Sequence, residues 1–417
     1  MDYKTKSVAV CDNGIFSALA ETLSASFGKV YYTSPWVSAF PSSAHTEIGE
    51  GFPGFERVND IWEIVDDVDL FVFPDIFQGP LQEYLAGKGK RVFGSRNGDE
   101  LENYRDESKT HFKELDIPQG PYEVVKGMSA LRRYIKSRGD EKLWIKINLT
   151  RGDTETFSIE SYDLAKNRLD KLEADLGPVA EAMKFVVEDN LPETIDIAID
   201  THCIDGKYPS HTLLGTEEKG EAYVCAAKDW AEMPPLLVDI YDKLGPTLEK
   251  FQYRNFLSLE CRCQGKNILL GDPCARAGSP PFELQLNMLT NLPEILWEGA
   301  DGKMVEPKYA ARYGFELIVH SDWADKNPLL LEFPDKYSEQ IKLRYAAQFG
   351  DQNWIMPQGG GPRVAAIVTT GDDLEGCFEE AQEISKTLKG YKLEVFTRAI
   401  PELRKNIGKL GGLGIII

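Results

Sequence analysis

FLSLECRCQGKNILLGDPCARAGSPPFE, residues 256–283, reads as two strands of a hairpin that carry acids at a defined separation. Glu260 sits on the first strand and Asp272 at the end of the second, with Gln264-Gly265-Lys266-Asn267 as the turn between them. Phe256, Leu257 and Leu259 before the turn, and Ile268, Leu269 and Leu270 after it, are apolar enough for buried strands. The two carboxylates can then lie side by side. Beyond Asp272, the order Asp272-x-Cys274-x-Arg276 returns an acid, a thiol and a cation to one face, because an extended chain repeats every second residue. Paired hard oxygens beside a guanidinium suit magnesium and the phosphates it accompanies. The competing reading is a hairpin whose acids face water. Cys261-x-Cys263 with Cys274 also admits a zinc site, although no histidine stands near them in sequence.

Upstream, Val8–Cys11 followed by Asp12-Asn13-Gly14 and a helix presenting Phe16, Leu19 and Leu23 is the strand, tight turn and helix that open a Rossmann-like unit. The turn lacks a full G-x-G-x-x-G, so it specifies the fold and not a dinucleotide. Strands near 30–32, 69–73 and 91–94, with a helix near 82–86, predict a parallel sheet ending about residue 104. The text then changes. A helix over 107–118 holds Lys109, Phe112 and Leu115, and strands follow at 122–125 and 143–148. Lys146 stands in the middle of the apolar run Leu143–Asn148, where an ammonium is costly unless it meets a counter-charge. A polar loop spans 149–156, and a helix with Leu164, Leu169, Leu172 and Leu176 on one side stops at Gly177-Pro178.

Residues 185–191 read as a strand entering a short linker, 193–200 as an alternating strand, 208–230 as a loop without period, and 236–251 as a helix. After a linker at 358–362 come a strand at 364–368, a helix opened by a capping box of Asp372 and Glu375, and a strand at 393–396. The expected class is α/β, with an α+β middle part. The expected units are 1–104 (Rossmann-like), 105–335 (containing a small subdomain over 123–187) and 336–417 (a small α/β unit).

The net charge of -20 over 417 residues argues against a nonspecific surface for nucleic acid or an anionic membrane. No apolar leader and no run of membrane-spanning length is present, and seven cysteines scattered through the chain are unlike a secreted disulfide framework. The expectation is a cytoplasmic protein with small-molecule ligands. Its oligomeric state is not written in the sequence.

In this order, the parts resemble the ATP-grasp superfamily, and within it most of all the phosphoribosylamine-glycine ligases. The likeness rests on VFPDIFQGPLQEYLAGKGKRVFGS (72–95), ESKTHFKELDIP (107–118), LWIKIN (143–148), FVVEDNL (185–191) and LLGDPCARAGSPP (269–281). It implies an ATP-binding domain with the 123–187 subdomain as a lid, a Rossmann-like domain before it, and an ADP-forming ligase that makes a carbon–nitrogen bond through an acyl phosphate. It also implies that Lys109 and Lys146 contact ATP phosphates, and that Glu188 with the backbone of Asp189, Asn190 and Leu191 reads adenine. Glu193 would bind ribose, Glu260 and Asp272 would hold magnesium or manganese, and Arg276 would neutralise the transferred phosphoryl. The sequence departs from the ligase pattern at Asp272 (commonly Glu), at Cys274 (commonly Asn) and in the loop Thr150-Arg151-Gly152-Asp153-Thr154, which has one glycine where the family has several. Arg151 would replace part of that missing backbone cradle as a catalytic cation. Thr216–Ala227 and Ala277–Pro281, expected to face the substrates, also depart, so the carboxylate and amine are expected to differ from glycine and phosphoribosylamine. A more acidic or bulkier amine would find counter-charges in Lys219, Lys228 and Arg276. Two other readings compete: a nucleotide-binding protein of the same fold without turnover, and a true phosphoribosylamine-glycine ligase.

Overall fold

The computed structural model describes residues 2–34, 47–148, 156–357 and 363–417. The linker expected at 358–362 and nearly all of the polar loop at 149–156 therefore lie outside the described residues. The chain opens with a five-stranded parallel sheet in the order Glu56–Arg57, Lys29–Thr33, Ser7–Cys11, Leu70–Val72, Arg91–Phe93. Alternate residues enter two cores: Val8, Val10 and Leu70 on one face, Ala9, Cys11 and Phe71 on the other. Burial of both faces explains why these strands read as unbroken apolar runs. Strand order reverses between Ser7–Cys11 and Leu70–Val72, so Asp12 and Asp75, just past their C-terminal ends, flank the crevice where such sheets accept ligands.

A nine-stranded sheet, antiparallel throughout, forms the middle of the molecule. Its order is Asn267–Cys274, Arg254–Gln264, Ile195–Ile204, His211–Glu218, Ala222–Asp229, Tyr313–His320, Arg363–Gly371, Ile341–Leu343, with Glu394–Val395 alongside Tyr313–His320. Two of its central strands lie in the stretch 208–230 that the sequence marks as a loop. Residues 212–216 and 222–226 are buried on both faces, so no polar alternation was there to be read. After residue 335, Ile341–Leu343, Arg363–Gly371 and Glu394–Val395 join this same sheet, whereas Ala346–Phe349 and Gln352–Ile355 pair with Leu329–Leu331 in a separate three-stranded sheet.

The smaller four-stranded sheet runs Tyr122–Lys126, Lys184–Asp189, Leu143–Ile147, Thr156–Ile159. Helices Met128–Arg138 and Tyr162–Leu176 close its core of Val125, Leu131, Ile145, Leu169 and Phe185. The second helix buries Ala165, Leu169 and Leu172, while Leu164 is 78% exposed, so the apolar stripe is displaced by one residue from the expected one. The helix Leu374–Ser385 is likewise capped one residue late: Asp373 accepts from the Gly376 N–H at 3.0 Å, and Asp372 instead accepts from Arg312 N–H at 3.1 Å. Among the described residues no helix is long and apolar enough to cross a membrane.

Candidate functional site

The hairpin forms with Glu260 and Asp272 as direct cross-strand partners, and a register shift between Glu260 and Cys261 marks an irregularity beside them. Gln264 faces Asn267, which leaves Gly265 and Lys266 as a two-residue turn. Gly265 has φ 58°, a left-handed conformation that glycine takes without a steric clash. Three backbone bonds tie the hairpin to its surroundings: Arg254 N–H to Gly94 O at 3.1 Å, Leu270 N–H to Pro118 O at 2.8 Å, and Ala277 N–H to Pro74 O at 2.9 Å. The parallel sheet and the lead-in to the small sheet are thereby anchored to one element. A cavity of 390 Å³ lies between the small sheet and the hairpin.

Lys146 meets the counter-charges its position demands. Leu143, Ile145 and Ile147 point into the small core, which turns Trp144 and Lys146 toward the cavity. The Lys146 ammonium lies 2.8 Å from Glu188 Oε2 and 2.6 Å from Asp272 Oδ2. Lys109 arrives from the helix Arg105–Glu114, on a buried stripe with Arg105 and Phe112 at helical spacing. It lies 2.6 Å from Glu188 Oε1 and donates to Gly271 O at 3.0 Å. Two cations thus face two anions at the junction of helix, small sheet and hairpin.

Their titration follows from that arrangement. Burial lowers both ammoniums; Lys109 stays below its ordinary value, whereas Asp272 and Glu188 outweigh burial at Lys146 and raise it. Burial pushes the two carboxyls up, but Lys146 and Lys109 pull harder, leaving Glu188 below and Asp272 far below the usual carboxylate value. Glu260 goes the other way: burial raises it, and Lys219 at 2.5 Å offsets only part of the effect.

Lys109, Lys146, Glu188, Asp189, Asn190, Leu191, Glu260, Asp272 and Arg276 all line this cavity. The N–H groups of Asp189 and Asn190 donate to Pro121 O at 3.0 Å and Lys142 O at 3.2 Å. Asn190 Oδ1 also accepts from Trp144 Nε1 at 3.0 Å. Arg276 is partly buried, with Nε 3.0 Å from Glu102 Oε1 and 3.6 Å from Asp75 Oδ1. Glu193 does not join the others: it is exposed, in a turn at φ 56°, while Thr194 and Asp196 next to it line the cavity. Arg151 lies outside the described residues.

Two carboxylates fit magnesium, which commonly takes one or two protein carboxylates and completes its shell with water and phosphate oxygens. Cys274 is turned to the Arg276 carbonyl at 3.8 Å, and Cys263 to Gly265 O at 3.7 Å. Among the described residues no group of three or more His, Cys, Asp or Glu is arranged to hold a metal ion.

Sequence reasoning missed Glu102, Arg105, Asp196 and Arg262, which also line the cavity. Asp196 and Arg262 are cross-strand partners joined by an ion pair, a feature invisible until the register of distant strands is known. A second cavity of 170 Å³ adjoins the first and shares Asp196, Lys219, Glu260, Cys274 and Arg276 with it. Both divergent segments contribute to its wall, through Thr216, Glu217, Lys219 and Tyr223 and through Ser279–Pro281. Lys228 lines neither cavity.

No protein-family model matches the chain, and no curated protein matches it in sequence. Solved structures do match in shape. Phosphoribosylamine-glycine ligase from Thermotoga maritima is similar at TM-score 0.70 and 16% identity, over 93% of this chain and 98% of that one. Biotin carboxylase from Campylobacter jejuni, solved with an ATP analogue, gives 0.67 and 10% over 94% and 93%. Carboxyaminoimidazole ribonucleotide synthase from Aspergillus clavatus, solved with ATP, gives 0.62 and 11% over 92% and 98%. The chain has the ATP-grasp fold.

Proposed function

We propose that this protein is an ATP-dependent ligase that joins a carboxylate to an amine through an acyl phosphate, releasing ADP and phosphate. The observation behind this reading is the meeting of Lys109, Lys146, Glu188 and Asp272, with each ion pair at 2.6–2.8 Å, in a cavity that Glu260 and Arg276 also line. Each lysine is neutralised by an acid, and an entering triphosphate would exchange phosphate oxygens for those carboxylates. Asp272, released from Lys146, would join Glu260 in holding magnesium or manganese, which supplies neutralisation of the phosphate charge. With the amides of Asp189 and Asn190 engaged, the linker would offer adenine the Asp189 carbonyl as acceptor and the Leu191 amide as donor.

Arg276, held by Glu102 and Asp75, would face the transferred phosphoryl and then the acyl phosphate. Arg151 is assigned to the same charge from the missing glycine cradle. The unit 123–187 would serve as the lid that keeps water from the acyl phosphate. The cysteines are all free and buried, which suits a reducing, cytoplasmic compartment. One feature supports a second reading, binding without turnover: Cys274 is turned to the Arg276 carbonyl and away from any ligand role. Incubation with ATP, magnesium and pools of carboxylates and amines, following ADP release, separates the two. ATP binding with no ADP from any pair would reject the ligase.

A further inference from the structure

The second cavity holds one charge that the protein leaves unmatched. Asp200 is 2% exposed, lies on the central strand Ile195–Ile204, and lines this cavity. Its Oδ2 accepts from the Tyr223 hydroxyl, whereas its Oδ1 has no hydrogen-bond partner within 3.5 Å among the described residues; the Ser258 hydroxyl, on the paired strand, is near enough to favour the carboxylate but does not close that bond. Tyr223 reaches it by lying over Gly215, where a side-chain Cβ would stand 2.0 Å from the phenol oxygen. A buried carboxylate oxygen without a partner is costly, so its persistence beside a cavity needs a reason.

The neighbouring charges do not supply one. Lys219 is taken up by Glu217 at 2.8 Å and by Glu260, Arg276 by Glu102 and Asp75, and Asp196 by Arg262. Arg363, also on the wall, has a partner of its own. What remains for a ligand is an acceptor. The space is small, 170 Å³ against 390 Å³ for the adjoining cavity.

We propose that the second cavity seats the ammonium group of a small primary amine, with Asp200 Oδ1 as its acceptor and Tyr223 fixing the carboxylate. The inference rests on the ligase reading only for the fate of the amine, which would lie next to the acyl phosphate formed near Glu260 and Arg276. It replaces the bulkier amine expected from sequence. Burial pushes the Asp200 carboxyl up to about 6, against the pull of Ser258 and Tyr223, and a bound cation would bring it down again.

The test is calorimetric titration of the full chain with methylammonium chloride, with ADP titrated in parallel. Saturable methylammonium binding that Asp200→Asn weakens about tenfold or more, at unchanged ADP affinity, is the expected result. Tyr223→Phe keeps the acid and should stay within about threefold of wild type. A measurement without substitution guards against misfolding of the buried variant: in the wild type, methylammonium protons should show nuclear Overhauser contacts to the Tyr223 ring. Absence of those contacts, equal binding by Asp200→Asn, or displacement by potassium at equal affinity would each overturn the proposal. None of these readouts needs turnover, so a failed ligase assay leaves them interpretable.

Discussion

At one end of the cleft, Lys109, Lys146, Glu188 and Asp272 neutralise one another at 2.6–2.8 Å, while at the other end Asp200 Oδ1 has no hydrogen-bond partner among the described residues. The first arrangement draws on a helix, a small sheet and a hairpin; the second sits within one central sheet. Balanced charge holds those three elements in register before any ligand arrives; under the proposed function, a triphosphate would then meet the two lysines already in place. Unbalanced charge leaves selectivity to the ligand. The largest expected effect tests the balanced end: Glu260→Gln and Asp272→Asn should each cut ADP release on the order of a hundredfold or more, since metal stabilisation of phosphoryl transfer is worth several kcal/mol. Full ADP release by both variants would remove the hairpin from the chemistry.

The next effect is on stability. Lys146→Met leaves Asp272 without its lysine and Glu188 with Lys109 alone; both carboxylates are only partly buried, so the loss should be on the order of 1–3 kcal/mol, measurable by urea unfolding without ligand. Its pH dependence has a definite sign. Asp272 and Glu188 are depressed in the folded state, so their contribution is present above their unfolded values near 4 and is lost as pH falls below them. Lys146 is raised, so its contribution is lost only as pH rises beyond the ordinary lysine value. The gap between wild type and variant should therefore form a plateau across neutral pH and close in acid. A gap that widened in acid would show that the four charges are not coupled as drawn.

Much of this end was legible in the sequence, for a physical reason. A lysine inside Leu143–Asn148 demands a counter-charge, and a hairpin turning at Gly265-Lys266 brings Glu260 and Asp272 close, although a regular ladder would set Glu260 opposite Gly271 and only the irregularity at Glu260/Cys261 makes the acids direct partners. The other end was not legible. Asp200 has no local feature that separates it from any strand aspartate; only the long-range pairing that sets Ile195–Ile204 between Arg254–Gln264 and His211–Glu218 buries it. His211–Glu218 and Ala222–Asp229 were hidden for the same reason, being central strands without alternation. Glu193 shows the limit of carrying a role over by position: a turn with φ 56° holds it outside the cavity lining, and Asp196 lines it instead.

Asp200→Asn should reverse the stability pattern of Lys146→Met. A carboxyl raised to about 6 binds its proton more tightly folded than unfolded, so the wild type gains stability as pH falls from about 6 to about 4. Asp12 and Asp99 are also pushed up to about 6, so only the difference between wild type and variant isolates Asp200. At pH 8 the variant should be more stable by roughly 3 kcal/mol, and the difference should vanish near pH 4. A variant less stable than wild type at pH 8 would mean that Asp200 is matched within the protein, and the contrast between the two ends would fail.

The smallest effect concerns Cys274, which lines both cavities. It follows Asp272 by two residues, so on spacing alone it is the natural third member of the proposed metal site. Its chemistry and placement argue otherwise. Magnesium prefers oxygen to sulfur, and the thiol is 7% exposed and turned to the Arg276 carbonyl at 3.8 Å. Cys274→Ala removes a weak contact and one sulfur from a buried wall without touching Glu260 or Asp272. Half-saturation by magnesium, followed through ADP release, should then stay within about twofold of wild type, because neither of the two proposed carboxylate ligands is altered. A tenfold rise in the magnesium requirement would place the thiol in the metal's surroundings. The balanced end of the cleft would then extend along the hairpin from Asp272 through Cys274 to Arg276, into the wall it shares with the second cavity.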